Sequence, residues 1–200
     1  MSAEYDLPFP HYRCPTCGKD LPLGEARITV TCGDHTERPD GEFDVRRSTD
    51  ADKGAVETIC DRALGETIVD VFGGTFDILG AINLIAEQNG ELVGLLSLVV
   101  SGGEATVVFM SVYPEHQGTG VGSVLLDEAD KFARERGLSF LRAATTNDDI
   151  PLLYFYQRHG FSIYEAAVGE VADRFGSATP GFSSIPVRDE FRLRRAVCTR

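Results

Sequence analysis

The sequence predicts an α+β fold, with a twisted mixed sheet, mostly antiparallel, flanked by helices. Three observations carry this. Between residues 81 and 113, apolar runs are joined at Asn89-Gly90 and Gly102-Gly103, pairs that accept the positive φ angles of tight hairpins, so an antiparallel meander of three strands is expected. Directly after it, Val121, Val124, Leu125, Ala129, Phe132 and Ala133 share one helix face, while Asp127, Asp130, Lys131, Arg134 and Glu135 share the other. The apolar run "LSFLRAATT" comes next, which puts a strand, helix, strand crossover at the centre of the sheet.

The remaining elements follow in chain order. Charge, proline and glycine crowd without periodicity in "DHTERPDGEF", which sets a boundary between a small unit over residues 1–40 and a main domain over residues 41–200. "FDVRRS" alternates like a strand. Helical spacing of Ala55, Val56, Ile59, Cys60, Ala63 and Leu64 predicts a helix over residues 50–64, capped by Thr49 or Asp50. Residues 66–79 are ambiguous, because Gly73 and Gly74 break any period. Gly137 ends the crossover helix, Pro151 opens a short helix in "IPLLYFYQRHG", and "FSIYEAAVGEV" and "RDEFRLRRAV" read as strands.

Composition narrows the functional classes. The net charge is -12, and only Lys19, Lys53 and Lys131 among 19 basic residues are lysine, so binding to a nucleic-acid backbone is disfavoured. No apolar run is long enough to cross a bilayer, and the start "MSAEYDLPFPHYRCP" lacks the basic then apolar layout of a signal peptide. A reducing cytoplasm is the expected compartment, with no membrane partner. Solubility and a salty cytoplasm each account for the acidity, and high-GC codon use accounts for arginine in place of lysine.

"YRCPTCGKDLPLGEARITVTCGDHTE" spaces Cys14, Cys17, Cys32 and His35 as CxxC, fourteen residues, CxxH. Two knuckles supplying two ligands each suit a tetrahedral zinc ion, with His11 as a spare ligand, so a small zinc ribbon is expected. A segment this short needs metal more than a hydrophobic core for its stability. Cys60, on the apolar face of its helix, reads as a core residue.

The most informative stretch is "HQGTGVGS", with Gly118, Gly120 and Gly122 at the mouth of the crossover helix. A glycine turn there leaves unpaired N–H groups at the positive end of the helix dipole, which makes an anion site. It is not a Walker loop, since Ser123 follows Gly122 without a lysine, and the dinucleotide fingerprint would need glycine at 123.

Gln117, Gly120 and Gly122 fit the pattern Q/RxxGxG/A. "TTNDDIPLLYFYQRHGF", residues 145–161, matches a second signature, a short helix ending in tyrosine, three residues, then Gly-Phe. With the element order over residues 43–197, the chain resembles the GNAT superfamily of N-acetyltransferases. The resemblance implies that the loop Gln117, Gly118, Thr119, Gly120, Val121 and Gly122 holds the pyrophosphate of acetyl-CoA. It implies further that the backbone of Met110, Ser111 and Val112 pairs with the pantetheine arm between splayed central strands, and that Tyr156 protonates the departing thiolate. Seven residues before that tyrosine the superfamily often has a cofactor-contacting asparagine; here Asp149 stands there, and Asn147 is assigned the contact. No general base stands out; Glu104, Glu115 and His116 are candidates beside ordered water, and His159 reads as a helix-end residue.

The function expected is therefore transfer of an acetyl group from acetyl-CoA to a primary amine of a small molecule or protein, with the acidity favouring a cationic acceptor. The alternative is a zinc-binding interaction or regulatory protein whose acetyltransferase-like domain does no chemistry. The oligomeric state is left open, a homodimer included.

Overall fold

The computed structural model describes residues 43–176, 181 and 184–197, together with the backbone of β1 (Tyr12–Arg13) and β2 (Asp20–Leu21). These two strands pair antiparallel, Tyr12 opposite Leu21 and Arg13 opposite Asp20. Cys14, Cys17, Cys32 and His35, expected to bind zinc, lie outside the described residues, as does most of the 34–43 boundary.

From residue 43 onward the order is β3 (Asp44–Arg47), α1 (Lys53–Leu64), β4 (Ile68–Val71), β5 (Gly74–Asp77), β6 (Ile82–Gln88), β7 (Glu91–Ser101) and β8 (Glu104–Val112). Then come α2 (Val121–Glu135), β9 (Phe140–Thr146), α3 (Ile150–Arg158), β10 (Ser162–Ala167), α4 (Glu170–Phe175) and β11 (Glu190–Ala196). Seven strands form one sheet in the order β10-β11-β9-β8-β7-β6-β3. Every neighbouring pair is antiparallel except β8 and β9, which α2 connects as a parallel crossover. This is the predicted α+β sheet. Among the described residues no helix is long and apolar enough to cross a membrane.

The hairpins obey the turn chemistry. Asn89 and Gly90 sit at φ 54° and 82°, and Gly102 and Gly103 at 59° and 79°. A third hairpin occupies the ambiguous stretch: β4 and β5 turn through Phe72 and Gly73, at φ 55° and 70°. Its pattern is hidden because phenylalanine stands where a left-handed turn favours Asn, Asp or Gly. A second difference is α4. The apolar run expected as one strand through "FSIYEAAVGEV" stops at Ala167, and Gly169 at φ 78° turns the chain into a short helix.

Both faces of the sheet are covered. On one, α2 packs Val121, Leu125, Ala129 and Phe132 against Leu84, Leu96, Leu98 and Val107. On the other, Val56, Ile59 and Cys60 of α1 meet Ile85, Leu95 and Phe109. Burial on two sides explains why β7 reads as a continuous apolar run instead of an alternating one. Each fully buried Leu or Ile contributes about 1.5–3 kcal/mol of transfer free energy, so these layers dominate the stability of the sheet. Gly94 in β7 sets how closely α2 approaches, since a β-carbon there would stand 2.6 Å from Val121 Cγ1 and 3.1 Å from Leu125 Cδ1.

One irregularity positions the site. Ser97 of β7 pairs with Phe109 but Leu98 pairs with Val107, so Val108 is an extra residue bulged out of β8. A bulge bends its strand. The β8–β9 pairing covers only Glu104↔Phe140, Ala105↔Leu141 and Thr106↔Arg142, and beyond it the two strands part.

Candidate active site

The parted strands open a cavity of about 310 Å³. Its floor is residues 107–110 of β8 and 144–146 of β9; Asp149, Leu152 and Tyr156 of α3 close one side, and β4 with α4 closes the other.

The glycine loop lies at the end of β8. After a single 3-10 turn, Pro114–His116, Gly118 and Gly120 adopt φ 78° and 98°. A β-carbon on either would meet nothing within 4 Å, so the requirement for glycine is backbone conformation and not crowding. Gly122 answers to a different constraint: already helical, its added β-carbon would press on the Phe155 ring at 3.3 Å, so this glycine lets α2 and α3 pack. The N–H groups of Gln117 and Thr119 are spent inside the turn on Pro114 O and His116 O, at 3.2 and 3.4 Å. Those of Gly118, Gly120, Val121 and Gly122 have no backbone partner among the described residues. Four such donors at the start of a 15-residue helix can bind an anion. Side chains brace the loop: Gln117 Nε2 donates to Val112 O at 3.1 Å, and Thr119 Oγ1 to His116 O at 2.7 Å.

Tyr156 is only 2% exposed and packs at 5.6 Å from Phe155 and 5.3 Å from Phe161. Burial, and then the charge of Asp149, push its pKa well above that of an ordinary phenol, so the hydroxyl keeps its proton throughout the physiological range. Tyr154 points outward, 44% exposed. Asp149 caps α3, its carboxylate accepting the Leu152 N–H at 3.0 Å. Asn147 braces the chain before β11: its Nδ2 donates to Pro186 O at 2.9 Å, and its Oδ1 accepts from the Arg188 and Asp189 N–H groups at 2.8 and 3.0 Å. His159 bridges two helices, with Nδ1 at 2.8 Å from Phe155 O and Nε2 at 3.1 Å from Ser123 Oγ. Glu104 is paired with Arg142 at 3.4 Å.

Beyond these, three features escaped the sequence. Arg192 binds Glu190, Glu170 and Glu165 at 2.7, 2.7 and 2.8 Å. Burial opposes its charge, and the three carboxylates more than offset that, raising its pKa. Glu190 also accepts the Phe72 N–H at 3.1 Å, and the Phe72 ring lies 4.5 Å from Arg142 and 5.6 Å from Arg192, which fastens the β4–β5 hairpin over the cavity. Thr145 is the third: it lines the cavity, is 6% exposed, and its Oγ1 has no hydrogen-bond partner among the described residues. Also among the described residues, no group of three or more His, Cys, Asp and Glu is arranged to hold a metal ion.

Residues 61–161, which contain the loop, the parted strands and the tyrosine helix, match the acetyltransferase (GNAT) family. The chain belongs to this family. Streptothricin acetyltransferase from Streptomyces lavendulae is 36% identical over 104 residues, 51% of this chain and 50% of that protein, so the GNAT chain spans half of this curated relative. Among solved structures, the IAA acetyltransferase from Bacillus cereus ATCC 14579 superposes with a TM-score of 0.63 at 21% identity, covering 77% of this chain and 99% of that one. A Bacillus subtilis acetyltransferase solved in complex with CoA gives 0.58 at 20% identity, over 78% and 98%. The α+β GNAT fold expected from the sequence is thus the fold observed.

Proposed function

We propose that the chain moves the acetyl group of acetyl-CoA onto a primary amine by direct attack, with Tyr156 giving its proton to the leaving thiolate. Two observations support this reading together: four N–H groups without a backbone partner at the start of α2, which follows β8, and a buried, protonated tyrosine on α3 that lines the cavity between β8 and β9. Acetyl-CoA supplies the activated acyl carbon. Gly118, Gly120, Val121 and Gly122 hold its pyrophosphate through their N–H groups, with Gln117 and Thr119 shaping the loop. Met110, Ser111 and Val112 offer pantetheine the edge of β8 that faces away from β7. Asn147 adds a contact through its second Nδ2 proton, the first being given to Pro186.

The amine nitrogen bonds to the acyl carbon, the carbon–sulfur bond breaks, and its electron pair leaves on sulfur. The thiolate takes the Tyr156 proton, and the surplus proton on nitrogen passes to water, from which the tyrosine is recharged. A nitrogen that has become cationic beside Tyr156 offsets the burial that holds the phenol proton, so proton transfer is favoured after attack and not before it. No side chain is assigned as base.

A zinc ion held by Cys14, Cys17, Cys32 and His35 is the second part of the proposal. The spacing supports it, and so does the antiparallel pair β1–β2, whose facing ends Arg13 and Asp20 flank the CxxC in the chain. Thiolate ligands suit a reducing cytoplasm. Elemental analysis of protein purified without chelator is expected to find one zinc per chain, and metal-free protein overturns this part.

Thioester consumption with a panel of amines tests the transfer. Acetyl-CoA binding without turnover on any amine favours the non-catalytic alternative.

A further inference from the structure

The cavity runs from buried to exposed lining residues, with carboxylates along its length. At its inner end stand Tyr156 and Thr145, 2% and 6% exposed. Val69, Val71 and Val171 line its walls, and Leu64 and Phe175, 45% and 62% exposed, form apolar lips. Asp70, Asp149, Glu170 and Glu190 line it too, with Arg174 as the one cationic lining side chain among the described residues. Arg174 is paired with Glu170, and Arg192 behind the wall is shared by Glu165, Glu170 and Glu190. Arg142, under Phe72, is balanced by Glu104. Asp70 accepts a hydrogen bond from Thr75 Oγ1 at 2.6 Å and Asp149 one from the Leu152 N–H, and neither has a cationic partner among the described residues. Carboxylates therefore outnumber guanidinium groups around the cavity as a whole, over aliphatic walls.

Thr145 adds an independent sign of a ligand. A buried hydroxyl without a partner is destabilising, and the large majority of buried polar side chains are satisfied. An amine reaching the inner end can donate one N–H to Thr145 Oγ1 while its lone pair stays free to attack.

We propose that the acceptor is an aliphatic amine carrying a second cationic group, a short diamine or a lysine-like side chain, whose reacting nitrogen meets Thr145 at the inner end while the distal cation meets Asp70 and Glu170 at the mouth. The inference rests on the acetyl-transfer reading above. Methylenes between the two nitrogens match the valine walls, and a distal carboxylate would face repulsion at the mouth.

The test uses the full chain, acetyl-CoA and three acceptors that differ only at the far end: pentane-1,5-diamine, pentylamine and 5-aminopentanoate. We expect kcat/KM to fall in that order, by about tenfold or more between the first and the last. Asp70→Asn is expected to shrink the diamine to pentylamine ratio by several fold. Thr145→Val, nearly isosteric, is expected to lower turnover of the diamine by about tenfold while leaving thermal stability equal or higher, because it deletes an unpaired buried hydroxyl; a purely structural threonine would move stability and not turnover. Turnover that is equal for the three acceptors, or best with 5-aminopentanoate, overturns this inference and leaves acetyl transfer standing. Wild-type turnover in Thr145→Val removes that residue from the acceptor site. No turnover with any amine, despite acetyl-CoA binding, removes the acetyl-transfer reading and this inference with it.

Discussion

Gly94 and Val121 are in such close contact that the sheet and α2 meet with no room for a side chain between them: a β-carbon on Gly94 would lie 2.6 Å from Val121 Cγ1. The contact ties the middle of the sheet to the first residue of the helix that carries the anion loop. Gly94→Ala is therefore expected to destabilise the protein by about 1–3 kcal/mol, the range for overpacked cores. Because α2 must shift to make room, acetyl-CoA affinity is expected to fall as well. Denaturant unfolding and calorimetric binding on the same sample check the two together, and unchanged values in both would show that the helix yields freely.

Tyr156→Phe preserves the ring packing on Phe155 and Phe161 and removes only the hydroxyl. Acetyl-CoA affinity is expected to hold while kcat falls by about 10²- to 10⁴-fold, the usual contribution of a general acid. Tyr154→Phe, on the solvent side of α3, is expected to change kcat little. Single-turnover kinetics isolate the chemical step, and a Tyr156→Phe enzyme with wild-type chemistry would hand the proton donation to solvent.

Gly120→Glu combines two penalties. Its backbone sits at φ 98°, where a side chain costs about 1–2 kcal/mol, and a carboxylate there competes with phosphate for the four N–H groups. Loss of acetyl-CoA binding is expected with the fold retained, since nothing lies within 4 Å of the new β-carbon. Gly120→Ala separates the terms, carrying the strain without the charge. Full affinity in a folded Gly120→Glu protein would refute the assignment of the loop.

Alkaline pH is expected to weaken the fold through Cys60. Burial, and secondarily Asp77, push this thiol up from 9.0 to about 11. Between those values the unfolded chain loses the proton while the folded chain keeps it, so stability falls as pH rises, by at most about 1.4 kcal/mol per pH unit. The contribution is fully present below pH 9. Cys60→Ala is expected to flatten the decline in stability between pH 9 and 11, and native Cys60 to resist alkylation at pH 8 when modified peptides are mapped by mass spectrometry. Rapid labelling of Cys60 in folded protein contradicts its burial.

The glycine turn at the start of α2 was legible because its chemistry is local. Three glycines before an amphipathic run announce a bare helix start, although the reason for Gly122, contact with Phe155, became clear only when α3 was seen beside α2. The hairpin turns were readable at Asn89-Gly90 and Gly102-Gly103 because those residues tolerate positive φ, and unreadable at Phe72-Gly73 because tertiary contacts with Arg142, Arg192 and Glu190 hold a residue that turn chemistry disfavours. Asn147 illustrates the same limit, since its partners Pro186, Arg188 and Asp189 lie about forty residues away. Glu190 and Arg192 carry no sequence signal at all; an acid and an arginine two apart in a strand look like an ordinary solvated face until the sheet brings Glu165 and Glu170 to them.

The walls of the cavity divide at residue 161, where the family match ends. The anion loop and the tyrosine come before it, while Glu170, Val171, Arg174, Phe175 and Glu190 come after. This partition makes the cavity divisible along the chain: substitutions confined to the last forty residues can recut one wall without touching the anion loop or the tyrosine. It also marks a junction for chimeras. Exchanging the region beyond Phe161 between members of the family would replace the α4 and β11 wall while Asp70 and Thr145 stay in place, provided that the incoming segment keeps a carboxylate where Glu190 accepts the Phe72 N–H.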